Sequence, residues 1–154
     1  MTTIWPWLVY VIGPITGGGL VYILFRSRTL VMFDWWDSLR LTGVIGEFRA
    51  WAEPAREMIP EFLLYSAPDG AWLYAYLMFY RLIWQGESTR ALWTWSSLGI
   101  GASIGLEIGQ GLGFFEGTFD WMDLGTYALA ILLALKTNLP IDVPVPQSTD
   151  LRGH

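Results

Sequence analysis

The side chains best suited to chemistry fall between Gly99 and Tyr127, in the stretch GIGASIGLEIGQGLGFFEGTFDWMDLGTY. Glu107 and Gln110 lie one helical turn apart, and Asp120, Asp123 and Tyr127 recur at i, i+3 and i+7, which puts them on one helix face. Glu107 is the only charge in the 25 residues from Ala91 to Phe115. In a membrane span a mid-helix carboxylate costs about 2.5 kcal/mol or more near the centre, so it needs a partner or a proton. The turn Phe-Glu-Gly-Thr-Phe that follows is short enough for the two flanking helices to pack antiparallel and bring their polar faces together. The expectation is a cluster of Glu107, Gln110, Asp120, Asp123 and Tyr127 at one membrane face. Carboxylates without His or Cys suit a hard cation such as Mg²⁺ or Ca²⁺, a polar headgroup or a small ligand. A plainer reading covers the aspartates: Thr118 or Asp120 as N-cap and Asp123 in the first turn, both favoured by the helix dipole. Capping does not explain Glu107.

The elements that must position these groups are membrane helices. The chain has 154 residues, 53% apolar and only 15% charged, with a net charge of -5. Soluble domains carry about a quarter charged residues. The absence of Cys excludes thiolate sites and disulfides, and His154, the one His, lies outside every apolar run, so no haem or other cofactor is expected. An acidic chain also lacks the basic stripe of a nucleic-acid binder. Ile4 to Phe25 is 22 residues without a charge, and about 20 suffice to cross the bilayer core. With no Lys or Arg before Arg26 and no small-x-small cleavage site, this first run reads as a retained anchor rather than a signal peptide. Pro68 to Trp84 carries Asp69 and Arg81 only near its ends, where one can cap and the other snorkel.

The expected fold is therefore all-α, an integral membrane bundle of four transmembrane helices at about 4–25, 68–84, 91–115 and 120–136. Residues 1–137 form the transmembrane domain, and 138–154, with Pro140, Pro144 and Pro146, form an exposed tail. Between the first two spans, residues 29–62 are too charged to cross. Leu30, Phe33, Trp36, Val44, Phe48 and Trp51 recur there at roughly helical spacing, which predicts one or two amphipathic helices in the interface, broken by Pro54 and Pro60. Such a segment serves as a scaffold or as a lid over a cavity.

Two glycine patterns bear on packing. Gly13-Pro14 and Gly17-Gly18-Gly19 permit a kink or a close neighbour in the first span. Gly101, Gly105, Gly109 and Gly113 fall four apart and form a ridge for close helix packing, separate from the polar stripe of Ser103, Glu107 and Gln110.

The order Glu107-x-x-Gln110, a loop with Gly117 and Thr118, then Asp120-x-x-Asp123 before an apolar helix resembles the VanZ-like family of small bacterial integral membrane proteins. The likeness runs over roughly residues 68–135, with Asp69 opening the second span. Thr118 stands where the family often has Arg, and Tyr127 where it often has Asn. The resemblance implies a multi-pass protein of the bacterial plasma membrane and, loosely, envelope or lipid-linked chemistry, but no particular reaction. It also implies that the acidic motif faces outward. The positive-inside rule says the opposite, since Arg26, Arg28, Arg40, Arg49 and Arg56 put five of nine cations in the loop after the first span.

Three functions fit these residues. The acidic cluster binds a headgroup, a cation or a small ligand. Alternatively, the chain is an accessory subunit of a larger membrane complex, touching lipids and other membrane subunits through its glycine ridge and its ten Trp and eight Phe. A third reading, an intramembrane enzyme with Glu107 as general base, lacks an evident nucleophile, because Ser103 serves as easily in helix packing.

Overall fold

The computed structural model describes residues 4–27, 31–85 and 87–139, and among these it is all helical. The helices are α1 (Trp5–Phe25), α2 (Val31–Ser38), α3 (Thr42–Arg56), α4 (Glu61–Tyr65), α5 (Ala67–Ile83), α6 (Arg90–Gly111) and α7 (Trp121–Lys136). The Pro-rich tail from 140 onward, His154, Arg28 and Leu30 lie outside the described residues.

Among the described residues α1 is the helix both long and apolar enough to cross a membrane. The other three expected spans form helices, each altered by its own sequence. α5 and α7 have 17 and 16 residues, slightly fewer than a crossing usually takes. α6 has 22 residues but is diluted by Gly, Ser and Glu107, and it stops at Gly111 rather than running to Phe115. Its end is a Schellman motif: Phe114 N–H bonds Gly109 O at 2.8 Å and Gly113 N–H bonds Gln110 O at 3.0 Å, with Gly113 at φ +75°. Gly113 thus ends the helix and is not a rung of a ridge.

α5 is the central helix. Leu73, Leu77 and Met78 on it are buried with Val11 of α1 and Ala130 and Ala134 of α7, forming the main apolar core. Single small residues set each approach to α5. A Cβ on Gly70 would lie 2.8 Å from Thr126 Cβ of α7, and one on Gly99 of α6 would run into the Tyr76 ring. Gly18 of α1 likewise sits under Trp72, whose indole N–H donates to Ile15 O at 3.2 Å. Among the described residues the expected glycine ridge does not join α6 to another helix. A Cβ on Gly101 or Gly105 would meet no neighbouring atom within 4 Å, and Gly109 is covered by Phe115 of its own loop. Contact between α6 and α7 is accordingly slighter than that of either with α5.

Pro14 in α1 has no N–H to give, and the preceding Leu8–Ile12 widens into a π-helical turn that accommodates it without ending the helix. Pro54 lies inside α3, which runs only two residues past it to Arg56; the breaks fall at 39–41 and 57–60. α2 to α4 gather beside the C-terminal end of α1. There Phe25, Ala52 and Leu64 make a second buried cluster. Arg49 of α3 donates to the carbonyls of Ile23 and of Arg26, the latter at 2.8 Å, and so satisfies the open end of α1. Val44, Phe48 and Trp51, the last 82% exposed, point away from this contact, whereas Phe33 is turned inward.

Candidate functional site

The C-terminal end of α1, the start of α5, the end of α6 and the start of α7 meet on the side of the molecule that carries α4. Each contributes polar side chains for a local reason. Asp120 is the N-cap of α7, its carboxylate accepting from Met122 N–H at 2.8 Å, and Asp123 follows in the first turn. Glu107, 4% exposed, accepts from the backbone N–H of Asp120 at 2.5 Å and so ties the end of α6 to the start of α7. Gln110 packs its carboxamide on Gly117, where φ is +133° and a Cβ would lie 2.7 Å from Gln110 Cδ. The backbone angle at that position favours glycine.

The opposite wall comes from α1 and α5. The chain leaves α1 at Arg26, whose guanidinium donates to Tyr22 Oη at 3.1 Å and Tyr65 O at 3.0 Å and pairs with Asp69 at 3.8 Å. Tyr22 donates to Asp69 Oδ1 at 3.0 Å, and Arg26 lies over the Tyr22 and Tyr65 rings at 4.7 and 5.1 Å. Thr126 Oγ1, between the two walls, is 3.1 Å from Ser66 O and 2.9 Å from Asp123 O.

Between the walls is a cavity of about 730 Å³. All five residues expected to cluster, Glu107, Gln110, Asp120, Asp123 and Tyr127, line it. Tyr22, Arg26, Tyr65, Ser66 and Asp69, which the sequence did not assign to this site, line it too. Five carboxylates, those of Glu61, Asp69, Glu107, Asp120 and Asp123, surround one guanidinium. Ser103 is not part of the lining.

The roles of these groups differ. Glu107 and Asp120 are engaged with backbone N–H groups and hold the loop between α6 and α7, so the capping explanation covers Asp120 and extends to Glu107. Asp69 is held by Tyr22 and Arg26. Three buried atoms that belong to lining residues have no hydrogen-bond partner among the described residues: Arg26 Nε, Ser66 Oγ and Asp123 Oδ1. Buried polar atoms are rarely left so, and each is costly unless a ligand or water meets it. Among the described residues no three His, Cys, Asp or Glu side chains converge as metal ligands. The carboxylates are spread around the chamber and do not form a ready cage for a bare divalent cation. The arrangement is suited to holding a polar molecule through several hydrogen bonds.

Arg26 and Tyr22 could have been noticed in the sequence as an i, i+4 pair at the end of the first span; nothing in the sequence marks Ser66. The chain matches no family model, no curated protein and no solved structure.

Proposed function

We propose that this chain is a VanZ-like, four-span protein of the bacterial plasma membrane that binds a polar ligand, such as a lipid headgroup or small molecule, in the acidic cavity at one membrane face. In this reading α1, α5, α6 and α7 cross the bilayer. Large apolar side chains exposed on all four support it: Leu8 and Ile12 on α1, Phe79 and Ile83 on α5, Leu98 and Ile108 on α6, and Leu129 and Leu132 on α7. At 1.5 Å per residue, 16 or 17 residues span about 25 Å, about 5 Å short of the hydrocarbon core, a mismatch a locally thinned bilayer accommodates, and Asp69, Asp120, Arg81 and Lys136 stand at or near the helix ends.

The observation that carries ligand binding is the cavity itself, whose wall carries five carboxylates and the Arg26 guanidinium. The test is intact-complex mass spectrometry of the full chain extracted in mild detergent. A bound molecule is expected on the native chain and not on the Asp69→Asn, Asp123→Asn double variant. A native chain that never carries one, from any membrane, removes the reading.

The accessory-subunit alternative rests on a separate observation, the exposed Gly101 and Gly105, which no helix among the described residues covers. A stoichiometric protein partner released by Gly105→Leu would favour it.

A further inference from the structure

A second opening lies at the other end of the bundle from the acidic cavity. α6 and α7 both lean on α5 and touch each other only slightly, and between them is a groove of about 220 Å³. Its wall is mostly apolar, built from Leu77 of α5, Leu92 and Ile100 of α6, and Ile131 and Leu135 of α7. Leu92 to Ile100 covers roughly 12 Å of the helix axis at 1.5 Å per residue. Ser96, between them on the same stripe, is small and leaves the groove open from the α6 side.

The polar groups of this groove stand at its outer end. Arg81 lies in the last turn of α5, and its Nη1 donates to Ala134 O near the end of α7. Its Nε–H and Nη2–H, the two donors that form one fork, have no partner among the described residues, and neither atom is sealed off from the surface. Ser88 Oγ, also on the wall, accepts from Trp93 Nε1–H at 2.8 Å and keeps its own hydrogen to donate. Arg90 opens α6 and Lys136 closes α7 at this same end, both exposed and neither paired with a carboxylate among the described residues. Glu87 is the one described carboxylate set against these three cations. The balance is the reverse of that in the acidic cavity.

We propose that this groove holds one acyl chain of an anionic phospholipid, with the headgroup phosphate on the Nε–H and Nη2–H fork of Arg81 and on the Ser88 hydroxyl. The proposal rests on the four-span reading and is independent of any ligand in the acidic cavity. An apolar groove between two membrane-crossing helices is filled by a lipid tail, and an arginine at a helix end reaches headgroup depth, where its fork matches a phosphate. A zwitterionic lipid offers the same phosphate but adds a positive group to an end already rich in cations.

The experiment adds phosphatidylglycerol and phosphatidylcholine with identical acyl chains to the full chain in mild detergent and reads their retention by intact-complex mass spectrometry. One phosphatidylglycerol per chain is expected to be held about fivefold or more tightly than phosphatidylcholine, the ratio that one basic side chain near an anionic headgroup supplies. Arg81→Gln should remove that preference, and Arg40→Gln, at the opposite end of the molecule, should leave it intact. If Arg81→Gln does not fold, Ser96→Leu, which fills the groove and leaves every cation in place, should weaken retention of phosphatidylglycerol. Equal retention of the two lipids by the native chain, a preference that survives Arg81→Gln, or undiminished retention by Ser96→Leu overturns the proposal. So does a lipid-free dimer in which a second copy fills the groove. The preference should persist in the Asp69, Asp123 double variant, which separates this lipid from a ligand of the acidic cavity. The four-span reading is judged apart, by labelling single cysteines from the two sides of a sealed vesicle; a chain that passes that test without preferring phosphatidylglycerol counts against the groove alone.

Discussion

Glu107 illustrates how a residue conspicuous for its chemistry can be spent on structure. Buried in α6, it accepts from the Asp120 backbone and anchors the first turn of α7. Replacing it with Leu should lower stability by about 1–3 kcal/mol, the cost of a lost charge-assisted bond, while Glu107→Gln, whose amide oxygen still accepts, should cost less. Thermal unfolding in detergent checks this, and equal losses for both variants would mean the bond matters little. Asp120→Ala removes the N-cap of α7 and should cost about 1 kcal/mol in the same assay. Both residues line the cavity, as their spacing in the sequence leads one to expect. It does not reveal which carboxylates are engaged and which are open, because that depends on backbone N–H groups across the loop. Asp123, which the sequence offers either as a member of the polar cluster or as a first-turn acid complementing the helix dipole, has one buried oxygen without a partner among the described residues.

At the scale of elements, the packing rests on close approaches to α5 rather than on the glycine ladder. Gly70→Val should force α7 away from α5 and destabilise the bundle by about 1–3 kcal/mol or more, since a Cβ there already meets Thr126. Gly105→Leu, with nothing within 4 Å, should leave the unfolding temperature of the isolated chain nearly unchanged. A large loss from Gly105→Leu and none from Gly70→Val would reverse this assignment. Four glycines at a spacing of four are legible in the sequence as a ridge, but spacing does not say what the ridge faces. Gly113 shows why: its left-handed backbone ends α6 two residues after Gly111, so the fourth rung belongs to a turn. The segment after the first long helix is helical, as its spacing predicts. Val44, Phe48 and Trp51 do share an exposed face, and what the sequence hides is Arg49, which reaches across to carbonyls at the end of α1.

For the whole molecule, the arrangement places α2 to α4 and the α6–α7 loop on the side of the cavity, with the α5–α6 connection at the other ends of those helices. The chain has no Cys, so single cysteines report sidedness without interference. In sealed vesicles, Glu57→Cys and Glu116→Cys should react with an impermeant maleimide added to the same side, and Glu87→Cys only from the opposite side. Labelling of Glu87→Cys and Glu116→Cys from one side would rule out the four-span reading. Knowing which side Glu116→Cys faces in cells would also decide between the positive-inside rule and the orientation that the VanZ-like resemblance implies.

The sequence alone determined the helical class, the positions of the four long helices to within a few residues, and the meeting of the Glu107 and Asp123 faces. These follow from local quantities: apolar run length, periodicity and a loop too short to separate its helices. Only the tertiary structure decided that α5 lies at the centre and that Tyr22, Arg26, Ser66 and Asp69 close the cavity from the other side. Those residues lie some forty to a hundred positions from their counterparts in the chain, and no local pattern encodes a contact between two walls. The approach is set where Gly18, Gly70 and Gly99 admit side chains from neighbouring helices, and that fit exists only once the helices are packed.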